Sequence, residues 1–130
     1  MKLSIVTPLK KLVTDLEIKS VTLPAYKGEL TILENHAPLI STLDTGVLTY
    51  VETETSKTVK LAISWGYVEI NHNEISVLAE TAETVKELDF NRAKNSLMTS
   101  KDVIKVSSDV DVIEKHLTKI KKAETRLKLQ

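Results

Sequence analysis

Residues 27–48, Lys27-Gly-Glu-Leu-Thr-Ile-Leu-Glu-Asn-His-Ala-Pro-Leu-Ile-Ser-Thr-Leu-Asp-Thr-Gly-Val-Leu48, read as short strands joined by turns whose residues are hard to replace. Gly28 suits a tight turn because it lacks a Cβ and tolerates positive φ. Leu30, Ile32 and Leu33 then supply apolar strand positions. Glu34-Asn35-His36 forms a polar corner in which Asn tolerates the left-handed conformation, and Pro38 interrupts strand pairing because it has no amide hydrogen. Asp44-Thr45-Gly46 punctuates the chain again before apolar positions resume at Val47 and Leu48. By itself the stretch specifies a β-rich domain with a distinctive corner.

Outward from it, period-two alternation with turn clusters every eight to twelve residues runs from Lys2 to about Glu80, the pattern of a sandwich or barrel. Leu3 and Ile5 open the first strand, which ends at Thr7-Pro8. Residues 11–17 and 18–23 make two further strands, the second closed by Pro24. Residues 47–54 and 57–65 pair about the turn Glu54-Thr55-Ser56-Lys57. Val59, Leu61, Ile63 and Trp65 share one face of the return strand, and Thr58, Lys60, Ala62 and Ser64 the other. Trp65 reads as a core or rim packing residue. Residues 67–70 and 74–78 form a hairpin about Asn71-His72-Asn73, whose residues accept left-handed φ. The total is about ten strands.

Near Ala79 the period changes. Residues 80–86 read as a polar linker, and from Asp89 the spacing is helical. Asp89 is an N-cap, and Phe90, Ala93, Leu97 and Ile104 lie along one stripe. Thr99, Ser100 and the β-branched residues up to Val106 lower helix propensity. A second helix starts at Ser107-Ser108, with Ser108 as cap and Asp111 near the third position, and buries Val110, Ile113, Leu117, Ile120 and Leu127 beside Ala123. Two amphipathic helices joined by a short turn predict an antiparallel hairpin whose thin core needs the sandwich, a partner or a ligand to fix its pose. The fold class expected is α+β in two parts: an N-terminal antiparallel β-sandwich over residues 1–86 and a two-helix hairpin over 87–130.

Composition narrows the function. At 130 residues the chain buries roughly two-thirds of its unfolded surface. It has no cysteine, hence no disulfide, thiolate metal site or thiol nucleophile. His36, His72 and His116 lack the spacing of a zinc site. Eighteen basic residues balance eighteen acidic ones, which removes any bulk electrostatic drive toward nucleic acid or anionic lipid. No apolar run approaches the ~20 residues that span a bilayer, and the N-terminus has no signal-peptide core. No nucleophile elbow, phosphate loop or His-x-x-x-His pair is present, so an enzyme is disfavoured.

The only two arginines, Arg92 and Arg126, fall at the same open end of a hairpin that turns near Ser107. Neighbouring guanidiniums repel unless an anion lies between them, and their forks suit phosphate oxygens. Lys122, about one turn from Arg126, is a third cation. A purely structural arrangement instead pairs Arg92 with Asp89 or Glu83 and leaves Arg126 solvated.

Three ordered stretches carry a resemblance: Gly28-Glu29-Leu30 with His36-Ala37-Pro38-Leu39 and Gly46-Val47-Leu48, then 77–83 (VLAETAE), then 88–93 (LDFNRA). Together they are similar to the epsilon subunit of F-type ATP synthases over essentially the whole chain. Asn35 departs from the Gly that many relatives carry before the histidine, and Asn is the next most tolerant residue there. The resemblance implies a non-catalytic subunit of a proton-translocating synthase, peripheral on the cytoplasmic face of the bacterial plasma membrane. It implies that the sandwich binds the gamma subunit and the c-ring through Glu29, His36, Pro38 and Leu43. It also implies that the hairpin regulates hydrolysis: folded it permits the reaction, and extended along gamma it inhibits, with Lys119, Lys121 and Arg126 engaging acidic segments of the beta subunits beside alpha. Leu-Asp-x-x-Arg-Ala resembles the motif with which some bacterial members bind a regulatory ATP, here with Glu83, Asp89, Arg92, Ala93, Lys122 and Arg126. The competing reading is a free-standing β-sandwich binding module whose helices dimerise it.

Overall fold

The computed structural model describes residues 1–87 and 89–129. Leu88, first residue of the Leu-Asp-x-x-Arg-Ala motif, and Gln130 lie outside the described residues. Nine strands precede two helices: β1 Lys2–Val6, β2 Lys11–Ala25, β3 Gly28–Leu33, β4 Leu39–Leu43, β5 Gly46–Glu52, β6 Thr58–Ile63, β7 Gly66–Asn71, β8 Glu74–Ala79, β9 Ala82–Thr84, α1 Phe90–Val106 and α2 Val110–Leu127. The sandwich-and-hairpin reading holds. Strand order is β1-β8-β7-β4-β2-β5-β6-β9, with β3 on β2 and β1 also on β2. The long β2 is the shared element: its first half pairs with β1, its second with β3 and β5. One layer is thus β1-β8-β7-β4 and the other β3-β2-β5-β6-β9.

Four details differ from the sequence reading. The sheet is mixed, because β1 runs parallel to β8. Residues 11–17 and 18–23 are one strand, which bends through Asp15 at φ 47° and a register shift between Ile18 and Ser20. Pro24 does not close it: it pairs with Glu29, and its carbonyl accepts from the Asp44 amide at 2.8 Å. The expected linker at 80–86 contains β9, antiparallel to β6, followed by a 3-10 turn at Val85–Glu87. Three residues are too few for an alternating pattern to show. β9 is held by Ser64, whose Oγ accepts from the Thr81 amide at 2.8 Å.

The corner behaves as its residues require. Asn35 sits at φ 64°, and His72 and Asn73 at 49° and 61° make the two-residue turn of the β7–β8 hairpin. The two turns lock together: Asn73 Oδ1 accepts from the Asn35 amide at 2.7 Å, and Asn73 Nδ2 donates to Asn35 Oδ1 at 3.2 Å.

Among the described residues the main core draws on strand residues, from Leu3 and Ile5 through Val21, Ile32, Leu48 and Leu61 to Val77 and Ala82, and includes no helix residue. The hairpin is a satellite. Asp89 caps α1, its Oδ1 accepting from the Arg92 amide at 3.0 Å. α2 is capped by Asp109 rather than Ser108: the Asp109 carboxylate accepts from the amides of Asp111 and Val112. Within the pair Ala93, Ser100 and Ala123 are buried, while Val110 and Leu117 of the expected stripe stay more than half exposed. His116 Nδ1 lies 3.1 Å from the buried Ser100 hydroxyl, a polar link between the helices.

α2 makes the main helical contact with the sandwich, across β5 and β6. This accounts for burial on the second face of β6. Ala62 and Ser64 are buried because Lys122 and Thr125 of α2 lie against them. The alternation of β6 is a strand covered on both faces, its small residues seating a helix.

Candidate functional site

Three regions follow from this frame. The first is a cleft of about 470 Å³ between the open end of the hairpin and β9, lined by Glu83, Asp89, Arg92, Ala93, Ser96, Lys119 and Arg126. Its size lies in the range of small-molecule sites. The antiparallel hairpin puts the first turn of α1 beside the last turn of α2, so the two arginines do share one site. Arg126 grips Glu83 in a two-point pair, Nε to Oε2 at 2.8 Å and Nη2 to Oε1 at 3.0 Å. The Arg92 guanidinium has no acidic partner among the described residues, so the expected structural pairing involves the other arginine. Lys122 does not line the cleft; it turns to Glu80 at 3.7 Å. Lys119 takes its place, together with the Ser96 hydroxyl, and neither was assigned there from the sequence. Helical spacing held the signal: residues 119 and 126 are seven apart, two turns on one face, as Arg92 and Ser96 are one turn apart. The site offers an unpaired guanidinium, an ammonium and a second, exchangeable guanidinium against two carboxylates, a set suited to a polyanion.

The second region is the seam between α2 and the sandwich. Lys121 reaches Asp44 in the β4–β5 turn, Lys122 reaches Glu80 after β8, and Arg126 reaches Glu83 on β9. The Lys121 ammonium beside Asp44 holds its carboxyl below the usual carboxylate range, burial opposing and the Thr45 amide assisting. Two of the three cations expected to face a beta subunit, Lys121 and Arg126, are therefore engaged within the chain in this conformation.

The third is an apolar groove of about 380 Å³ on the outer face of β1, β8 and β7, floored by Val6, Pro8, Trp65, Tyr67 and Leu78. Register makes it a row: Val6 lies beside Leu78 and Leu78 opposite Tyr67. Trp65 is 55% exposed, Tyr67 50% and Leu78 56%, so Trp65 is not a core residue. It stands past the end of β6, where the alternation no longer applies. The row was legible as aromatic and aliphatic residues at outward positions of a strand pair.

The residues expected at the rotor are scattered. Glu29 is exposed at the start of β3, and His36 and Pro38 lie beyond its other end, more than ~13 Å along the strand. Leu43 is 3% exposed and packs in the core, so its side chain offers no contact surface; this corrects its assignment. His36 is half-buried, its Nδ1 2.7 Å from the Ala37 carbonyl.

The family described as ATP synthase, Delta/Epsilon chain, beta-sandwich domain matches residues 1–85. The chain belongs to the ATP synthase epsilon chain family. It is 42% identical to the ATP synthase epsilon chain of Bdellovibrio bacteriovorus over 104 residues, 80% of this chain and 74% of that one. With the epsilon chain of Geobacter sulfurreducens it shares 37% identity over 111 residues, 85% and 78% of the two chains. Its fold is similar to a chain of the Euglena gracilis mitochondrial ATP synthase, OSCP/F1/c-ring, with TM-score 0.87 at 19% identity, covering 96% of this chain and 78% of that one. A chain from the Tetrahymena thermophila mitochondrial ATP synthase central stalk/c-ring matches with TM-score 0.71 at 16% identity, covering 98% and 94%. As an epsilon chain it is a component of the synthase. Among the described residues no helix is long and apolar enough to cross a membrane, and no group of three or more His, Cys, Asp or Glu is placed to hold a metal.

Proposed function

We propose that this chain is a non-catalytic, rotor-bound regulatory subunit of a proton-translocating F-type ATP synthase, peripheral on the cytoplasmic face of a bacterial plasma membrane. Residues 1–86 anchor it to the gamma subunit and the c-ring, and residues 87–130 form a hairpin that regulates hydrolysis at the alpha and beta subunits. One observation carries the reading: among the described residues the sandwich core contains no helix residue, so the hairpin can leave while the anchor stays folded. The exposed Trp65-Tyr67-Leu78 row supplies an apolar surface of the kind that holds a permanent partner. Glu29 at the start of β3, and His36 and Pro38 beyond its other end, supply further contacts toward gamma or the c-ring. In the released hairpin Lys119, Lys121 and Arg126 are freed to meet acidic segments of a beta subunit. The test is reconstitution with an epsilon-depleted ATPase head. The full chain lowers the hydrolysis rate several-fold, and residues 1–87 bind without lowering it. Equal rates with the two forms would remove the hairpin from regulation.

The cleft supports a second element of this function, a regulatory ATP held by Arg92, Lys119 and Arg126, with Glu83 and Asp89 accepting from its amino or hydroxyl groups. ATP favours the folded hairpin to the extent that it binds that state more tightly. Calorimetric titration gives binding to the wild type and a loss of about tenfold or more for Arg92→Ala, the cost of one charge-assisted fork. Equal affinities would take Arg92 out of the site.

A further inference from the structure

The contact between α2 and the sandwich combines small buried residues with ion pairs. On α2 and just after it Ala123, Thr125 and Leu129 are buried, as is Ala93 at the facing start of α1, and none of them joins the main core. Across the seam run three ion pairs from one helix segment: Lys121 to Asp44, Lys122 to Glu80 and Arg126 to Glu83. At 100° per residue these three cations spread over roughly 140° of the helix circumference. They reach three separately placed acids, one in the β4–β5 turn, one after β8 and one on β9. An isolated exposed pair contributes little. Here three pairs act together beside a few buried apolar residues, and each acid fixes a different point along α2. We propose that these three pairs form an electrostatic clasp that sets how much of the hairpin is docked, so that ionic strength and competing polyelectrolytes tune its release. The inference deepens the regulatory reading above and rests on the hairpin being releasable.

Several consequences separate a clasp from an apolar dock. Raising salt from about 20 mM to about 1 M shortens the screening length to ~3 Å and weakens exposed pairs, whereas apolar burial is spared. The middle pair is the cleanest handle, because among the described residues the Glu80 carboxylate has Lys122 as its ion-pair partner and Lys122 sits on a helix that accepts Glu equally well. Lys122→Glu places like charges opposite each other and Glu80→Lys with Lys122→Glu restores attraction in the reverse sense.

The chain has no cysteine, so spin labels attached at Thr58→Cys and Ser108→Cys report the sandwich-to-hairpin distance without background. In the full chain, Lys122→Glu lowers the ratio of docked to undocked hairpin about threefold to tenfold, high salt lowers the wild-type ratio by a similar factor, and the charge swap returns it to within about twofold. Thermal melting of each variant's β-sheet signal shows that folding is intact. A ratio insensitive to both salt and Lys122→Glu overturns the clasp, and so does a loss that the swap fails to repair. Failure of the broader regulatory reading looks different: the hydrolysis rate would then ignore the hairpin however the docked fraction moves.

Discussion

Gly66→Ala is expected to be the most damaging single substitution in the sandwich. A Cβ built on Gly66 would lie 1.9 Å from the Leu78 carbonyl oxygen and 2.9 Å from the Ala79 Cα, backbone atoms that cannot rotate aside. Gly66 opens β7 opposite both Leu43 of β4 and Ala79 of β8, so any retreat strains two ladders at once. A loss on the order of 3 kcal/mol or more follows, at the upper end of overpacking costs. Urea unfolding checks it, with the midpoint falling and the slope unchanged. Against a native stability of about 5–15 kcal/mol, the variant keeps little reserve at growth temperature. A loss below about 1 kcal/mol would show that β7 and β8 can separate without penalty.

The second large effect concerns binding. Tyr67→Glu with Leu78→Glu puts two carboxylates into the middle of the exposed apolar row while leaving the buried faces of β7 and β8 untouched. Folding stability should fall by about 1 kcal/mol, because the two side chains are half exposed and like charges then stand directly opposite. Affinity for the gamma subunit should fall at least about a hundredfold, since charges desolvated at an interface centre without partners are costly. Co-purification with the synthase, or titration onto isolated gamma, measures it. Unchanged affinity would move the anchor elsewhere, and Glu29, His36 and Pro38 would then be the residues to substitute.

The parts of the fold that could be read in advance are those where one local rule decides. Asn35, His72 and Asn73 take the left-handed backbone their side chains permit, and Asp89 caps α1. What escaped needed knowledge of a neighbour. The continuity of β2 through Pro24 depends on β3 and on the Asp44 amide that uses the Pro24 carbonyl. β9 depends on Ser64. The buried outer face of β6 depends on a helix more than fifty residues later. The site divides in the same way. Helical spacing brought Arg92 and Arg126 together, but which acid each meets is a matter of tertiary approach: Glu83 chose Arg126, and Glu80 drew Lys122 out of the cleft and left it to Lys119. Leu43 shows the opposite error. A residue implicated through its place in a familiar stretch turned out to point inward.

The double engagement of β1, with β2 close by in the chain and with β8 some seventy positions away, bears on the order of events at the ribosome. The first strand to emerge waits for nearly the last one before its second edge is satisfied, so the sandwich cannot mature piecemeal and should form in one late, cooperative step. The two helices are synthesised after that step. They emerge onto a finished platform, so their stability can vary without jeopardising the folding of the sandwich.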